Sequence, residues 1–312
     1  MEHERKAEMT DYIEKKSVKK ILDAAVDIAM NTASDKDTAF MASHLVQANL
    51  PHSKPKADVW WRKNGNLTLS IQAGLNHKTQ KSYGLPYGSI PRLLILWIVT
   101  EATRTKSRRI ELGASLAGFM REIGLNPDNG TGKRSDARRL REQMERLFRA
   151  KFSFSWDKTN LVTGVESYSW LDMQVAPAGE LWWDTKTPEQ TDLFGSWIEL
   201  GEHFYNAIVS APVPLDLRAI IALKQSSLAL DLYMLLSREA YKASKSKKGR
   251  FIPYSSLYEQ MGSEYKEQKE FNRKLKAALK SVKAVSPKLL VAAKTGGLEI
   301  SANSLPPIEQ KP

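Results

Sequence analysis

Apolar residues recur at helical spacing through the first thirty positions. Ile13, Ile21, Leu22, Ala25 and Ile28 sit among Lys and Glu until Asn31-Thr32-Ala33-Ser34-Asp35 breaks the run. Alternation replaces this period from Val59 to Lys63 and from Leu67 to Ile71. Asn64-Gly65 between them predicts a β-hairpin, because both residues tolerate the positive φ of a type I′ turn. Gly74 to Tyr87 is polar, rich in Gly and Pro, and reads as a linker. Pro91 suits a first helical turn, and Arg92 to Thr105 is apolar almost all round, which predicts a buried helix. A short strand over Arg109–Gly113 follows, then a helix over Ala114–Ile123 stopped by Gly124. Ser135 or Asp136 can cap a further helix to about Ala150, with Ala137, Leu140, Met144, Leu147 and Phe148 as its core stripe. Phe152–Trp156 and Tyr168–Leu171 then alternate around a Gly164 turn, as a hairpin or three-stranded ribbon does.

The same order recurs downstream. Trp197–Leu200 reads as a strand and Glu202–Val209 as a short helix, with Pro212-Val213-Pro214 as a boundary. Helices are expected over Leu215–Lys224 and Ser227–Tyr241, a strand over Phe251–Tyr254, and a helix over Ser255–Met261. A long helix from about Lys266 to Val285 precedes a hairpin of Leu289–Val291 and Leu298–Ile300 around Gly296-Gly297. Buried helix, short strand, helix, turn, helix, hairpin is the winged-helix layout, a helix-turn-helix variant. The expectation is an α+β chain of tandem winged-helix domains. An N-terminal helix and hairpin extension would span 1–85, the first winged helix 86–210, the second 211–303 and a tail 304–312.

Charge points to the partner. Lys and Arg number 47 against 35 Asp and Glu, a net +12 that favours a polyanion. It is sorted along the chain: Lys133–Lys151 carries 8 basic and 3 acidic residues, Phe152–Glu202 carries 2 and 9, and Arg238–Lys294 carries 15 and 5. In the last block Phe271, Leu275, Ala278, Leu279 and Val282 make one helical stripe, and Lys269, Arg273, Lys276, Lys280 and Lys283 make another roughly opposite. A cationic column about 20 Å long fits a major groove about 12 Å wide. The plain alternative is a solvated lysine-rich face. Against it, Glu267 and Glu270 are the only acids and both lie in the first turn, whereas salt-bridged surface helices alternate sign. Lys274 flanks the column. Lys133, Arg134, Arg138, Arg139 and Arg141 crowd another helix start and suit phosphate, although Glu142 can pair with Arg138 or Arg139, and Glu145 with Arg141 or Arg149. The later helix is therefore read as the main reader of double-stranded DNA and the earlier cluster as its support. Two modules on one duplex face, about 34 Å apart, imply a repeat near 20 base pairs.

Several chemistries are excluded. With no cysteine there is no disulfide, thiolate metal site or cysteine nucleophile. The five histidines are never closer than eight residues, which removes the His-x-His pair of a nicking enzyme. Gly130-Thr131-Gly132-Lys133-Arg134 fails as a phosphate-binding loop, since Pro127 and Arg134 stand where Gly and Ser or Thr are required. The only Asp-x-Asp, Asp35-Lys36-Asp37, lies in a polar break where Ser34 or Asp35 caps a helix. No catalytic constellation, metal or cofactor is expected. Trp60, Trp61, Trp156, Trp170, Trp182, Trp183 and Trp197 could stack on unpaired bases, but at strand spacing they read as core or edge packing. The longest apolar run, Leu93–Val99, is too short to span a bilayer, and Met1-Glu2-His3-Glu4 is followed by no apolar stretch, so a cytoplasmic location is expected.

Two blocks carry a family resemblance. Tyr87-Gly88-Ser89-Ile90-Pro91-Arg92 opens a segment running through Glu101-Ala102-Thr103-Arg104-Thr105 to Ile110-Glu111-Leu112-Gly113-Ala114-Ser115-Leu116 and Phe119-Met120. Glu199-Leu200 with Phe204 leads to Pro212-Val213-Pro214-Leu215-Asp216-Leu217-Arg218-Ala219 and Leu228-Ala229-Leu230-Asp231-Leu232-Tyr233. From about Tyr83 to Ala302 the chain resembles the plasmid-encoded RepA-type replication initiator family; residues 1–82 carry no motif. The resemblance implies binding to directly repeated sites (iterons) at a plasmid origin, local duplex opening, and recruitment of host initiator and replicative helicase. It further implies a monomer–homodimer equilibrium that limits copy number, and no catalytic motif. A winged-helix transcriptional regulator without a replication role has the same helix requirements, and a nuclease or primase would instead need metal-dependent chemistry.

Overall fold

The periodicities translate into an ordered series of elements in a computed structural model, which describes residues 18–128, 132, 135–159, 166–182, 190, 195–262 and 264–308. Residues 18–30 form α1, and a 3-10 turn at Asp35–Asp37 leads to β1 (Thr38–Ala42) and α2 (Ser43–Gln47). Four strands follow, β2 (Val59–Asn64), β3 (Leu67–Gln72), β4 (Leu75–Asn76) and β5 (Lys81–Ser82). Next come α3 (Ser89–Thr105), β6 (Arg109–Glu111), α4 (Leu116–Glu122), α5 (Asp136–Arg149), β7 (Lys151–Thr159), β8 (Glu166–Gln174), β9 (Ala178–Glu180), β10 (Trp197–Glu199) and α6 (Glu202–Ser210). The series closes with β11 (Pro212–Asp216), α7 (Leu217–Leu223), α8 (Ser227–Ser246), β12 (Arg250–Pro253), α9 (Tyr254–Met261), α10 (Gln268–Ala284), β13 (Val291–Lys294) and β14 (Gly297–Ile300). The chain is mixed α and β, in two compact units. One comprises Phe40–Pro212 and Glu259–Glu264, the other the described parts of Met1–Ala39, Val213–Tyr258 and Tyr265–Pro312.

The first unit is built on α3. Eleven of its seventeen residues are buried, including Arg92, whose guanidinium donates to the carbonyls of Leu50 (2.7 Å), Pro51 (3.1 Å) and Gly88 (2.7 Å). A buried cation survives there because backbone oxygens replace its water. Ser115 caps α4 by accepting from Gly118 N–H, and Gly124 (φ +76°) follows its end. A four-stranded antiparallel sheet, β2-β3-β7-β8, buries Leu69, Ile71, Phe152 and Phe154 on one face. The hairpin expected in a separate N-terminal extension is therefore part of this unit's core, because Leu69 stands opposite Phe154 and Ile71 opposite Phe152. Its turn is Gly65-Asn66 rather than Asn64-Gly65: Asn64 pairs with Leu67, and only Gly65 (φ +58°) needs the positive region. The short strand β6 pairs with β10, and β10 with β9.

In the second unit α8 is the central rod, with thirteen of twenty residues buried. Ser226 caps it by accepting from Ala229 N–H, and α10 packs against it. Strands β12, β14 and β13 form a sheet in that order, with Ile252 opposite Leu298 and Val291 opposite Ile300. Residues 212–216, expected as a boundary and a helix start, are the strand β11, and α7 begins only after Asp216 caps it. Arg218 bridges Asp216 (2.8 Å) and Asp27 (3.2 Å), which ties α1 to α7 and holds the guanidinium pKa above its ordinary value. Among the described residues no helix is long and apolar enough to cross a membrane.

Candidate nucleic-acid interface

The composition of α10 favours a helix: Lys, Ala and Leu make up ten of its seventeen residues, and one face is continuously apolar. Phe271, Leu275, Ala278, Leu279 and Val282 are all buried, the same five that the periodicity selects. Phe271 is fully enclosed, edge-on to Tyr258 and Tyr265 at 5.5 Å from each ring. Lys269, Arg273, Lys274, Lys276, Lys280 and Lys283 are all exposed. None of them forms an ion pair with a described residue, whereas carboxylates bind cations elsewhere in the same unit. At 100° per residue the five column cations fall within an arc of about 80°, and Lys269 to Lys283 span about 21 Å of axis, while Lys274 lies about 140° from Lys269. The helix is thus amphipathic in charge as well as polarity. Lys276 also stands over the Tyr254 ring, with Nζ 5.7 Å from its centroid.

The hairpin of β13 and β14 turns at Thr295-Gly296, where Gly296 (φ +83°) takes the left-handed conformation the turn requires. Tyr254 N–H donates to the Gly296 carbonyl at 2.8 Å, which holds this turn at the start of α9. Lys294 pairs with Glu299 at 3.6 Å.

The earlier basic cluster is arranged differently. Ser135 caps α5 by accepting from Arg138 N–H, and Arg138 is exposed. Arg139 is held by Asp136 at 3.2 Å and Arg141 by Glu145 at 3.2 Å. Glu142, expected to pair with Arg138 or Arg139, instead meets Arg146 at 2.6 Å. Burial decides this choice: Arg146 is 6% exposed and needs the carboxylate, while its other arm donates to Leu85 O. Lys133 and Arg134 lie outside the described residues, as does most of the loop from Gly130 to Arg134. Self-neutralised arginines leave this helix much less charge for a partner than α10 keeps.

Two further clusters serve packing. Glu239, 5% exposed, draws in Arg238, Lys242 and Arg250. Burial lowers the Arg238 and Lys242 pKa values, and Glu239 opposes that shift in both. Arg62 lies 3.9 Å over the Trp60 ring, and burial brings its pKa down to about 10. Among the described residues no group of three or more His, Asp or Glu is placed to hold a metal ion.

The tryptophans correct one expectation. Trp61, Trp170 and Trp182 are 61%, 64% and 50% exposed rather than packed in the core. Strand geometry explains the first two: Trp61 stands in register with Ser70, Ser153 and Asp172, and Trp170 with Ser155, on the sheet face away from Leu69 and Phe154. Trp60, Trp156 and Trp197 are half-buried, beside Arg62, His44 and Arg109 respectively. Trp183 lies outside the described residues. Two residues that sequence periodicity does not single out also lie at the α10 surface: Tyr254 at the start of α9, and Asn272 between the two stripes of α10.

No curated relative matches the chain. Two solved structures resemble it, both of domains 2 and 3 of RctB. One, a selenomethionine derivative, has a TM-score of 0.49 and 12% identity over 86% of this chain and 99% of that one. The other has a TM-score of 0.41 and 10% identity over 83% and 95%. The family model described as "Plasmid encoded RepA protein" matches residues 85–255, ending before α10 begins. Since that match spans more than half of the 312 residues, the chain belongs to the family of plasmid-encoded RepA proteins, the RepA-type replication initiators.

Proposed function

We propose that this protein is a plasmid replication initiator that binds repeated sites in double-stranded origin DNA through α10. The observation that carries the reading is the column of exposed cations on α10 that no carboxylate among the described residues occupies. An unpaired column would neutralise phosphates along a groove wall and release their counterions. The order α8, β12, α9, α10, β13, β14, with β12 hydrogen-bonded to β14, supports a winged helix with α10 as its reading helix. The order α3, β6, α4, α5, β7, β8 supports a second, in which β6 pairs with β10 instead of the hairpin. Arg138, with Lys133, Arg134, Arg139 and Arg141, would give that module a supporting role. The protein would act without catalysis, by opening the duplex and recruiting host initiator and helicase, and a monomer–homodimer equilibrium would set copy number.

The test is binding to the DNA adjoining its own gene, followed by fluorescence anisotropy. Lys276→Glu with Lys280→Glu is expected to abolish specific binding and to leave the melting temperature unchanged; retained tight binding would assign the DNA to another surface. Cloning the gene with its flanking DNA on a fragment that cannot otherwise replicate separates an initiator, which yields transformants, from a winged-helix regulator, which does not.

A further inference from the structure

The start of α9, the first half of α10 and the turn of the β13–β14 hairpin line a cleft of about 710 Å³. Its charged lining residues are Lys269, Arg273 and Lys276, with no carboxylate among them, and Ser255 and Asn272 add polar groups. Tyr254, in the same wall, is 7% exposed. Its hydroxyl and the Asn272 side-chain oxygen are both buried without a hydrogen-bond partner among the described residues. A native fold rarely leaves such groups unmatched, and both residues belong to the wall of this cleft, where a small shift of the wall would present their polar atoms to a ligand. Burial raises the Tyr254 pKa, so the phenol stays protonated and able to donate. The Asn272 amide, turned about its terminal bond, offers an N–H as well. Backbone amides at a helix start, with no intrahelical acceptor, add to the same potential.

We infer that this cleft is a seat for one phosphodiester of the DNA backbone, with Lys269, Arg273 and Lys276 neutralising it and the Tyr254 hydroxyl donating to a phosphate oxygen. The inference rests on the reading of α10 as the DNA-facing helix and divides that helix into two working halves. The N-terminal half anchors a phosphate against the hairpin turn, and the C-terminal half, with Lys280 and Lys283, runs on along the groove. A free phosphate has the same chemistry. The backbone is favoured because the three cleft cations belong to the exposed column, so an anion seated here lies on the face that meets the duplex.

The test compares wild type, Tyr254→Phe and Lys280→Gln on a duplex bearing the protein's repeat, with single methylphosphonate linkages placed in turn along each strand. Tyr254→Phe is expected to weaken binding about tenfold, the usual scale for losing a hydrogen bond to a charged group. Its melting temperature should hold, because the hydroxyl has no partner among the described residues. One methylphosphonate should cost wild type about tenfold and cost Tyr254→Phe little more. Asn272→Asp, which places a carboxylate in the cleft, should weaken binding at least as much. If Lys280→Gln weakens binding while Tyr254→Phe and Asn272→Asp bind as wild type, the cleft is not a phosphate seat and α10 still faces DNA. If Lys280→Gln also binds as wild type, the reading of α10 fails, and this inference with it. Calorimetry of the DNA-free protein with inorganic phosphate should show no saturable binding at millimolar concentration. Saturable binding that Tyr254→Phe removes would give the cleft to a free phosphate ligand and overturn the assignment to the backbone.

Discussion

Replacing Lys280 by Gln removes one charge from the C-terminal half of the α10 column and alters no buried contact, since Lys280 is exposed and pairs with no described carboxylate. If the cleft cations share one phosphate and Lys280, Lys283 and Arg138 each neutralise another, the logarithm of affinity should fall with the logarithm of salt at a slope near −3.6, about 0.9 per contact. Between 50 and 200 mM salt, wild type should then lose roughly 150-fold in affinity. Lys280→Gln leaves about three contacts, a slope near −2.7 and a loss of roughly 40-fold over the same range. The wild-type advantage should therefore shrink by about 3.5-fold as salt rises. Fluorescence anisotropy on a labelled repeat duplex at several salt concentrations measures both slopes, with Lys36→Gln, an exposed lysine outside the column, as control. A flat response in wild type, or equal slopes for wild type and Lys280→Gln, would refute the reasoning. So would an equal loss of slope in Lys36→Gln, because the charge effect would then be global rather than borne by this face.

The opposite face of the same helix should respond in the opposite way. Phe271→Ala, which empties a fully buried ring site between Tyr258 and Tyr265, is expected to cost about 3–5 kcal/mol, read as a fall in chemical or thermal denaturation midpoint. Lys280→Gln should leave that midpoint in place; a comparable shift there would mean the cations stabilise the fold. Ahead of β1, the Asp37 carboxylate accepts from the Ser34 hydroxyl (2.6 Å) and Ser34 N–H (2.8 Å), which holds its pKa below the ordinary 3.8. A depressed carboxylate contributes stability that is present above 3.8 and is lost as pH falls through the folded-state value. Asp37→Asn should therefore cost under about 1 kcal/mol at pH 7, given the site's exposure, and the difference should close below pH 3.8. A gap that persists in strong acid would show that the charge is not what the cap uses.

α10 was readable in the chain because two stripes, one apolar and one basic, repeat together, and two coincident periods leave little freedom in register. Its five buried residues follow directly. The α5 stripe was readable for the same reason, but its ion pairs were not. Choosing among Arg138, Arg139 and Arg146 as partner for Glu142 depends on Arg146 being buried beneath the Leu85 carbonyl, a contact sixty-one residues away in sequence. β11 was missed because Pro212 and Pro214 donate nothing to a ladder; in a two-stranded sheet every strand is an edge, where proline is tolerated. α8 runs to Ser246 rather than Tyr241, since Ala243 is buried and Lys247 (φ +52°) supplies a left-handed end that no glycine announces. The exposed tryptophans were misjudged because alternation fixes which residues share a sheet face but not which face meets the core. Trp60 and Trp61 are adjacent and must point to opposite sides.

The absence of cysteine permits a direct test of where α10 lies. Ala277 is exposed on α10 beside the basic column, so Ala277→Cys adds a unique thiol to that face without removing a charge. A DNA-cleaving iron chelate attached there, in complex with the origin repeats, should cut both strands at one cluster of positions within each repeat. Uncut repeats under conditions where the labelled protein is bound would place α10 away from the duplex and contradict the account.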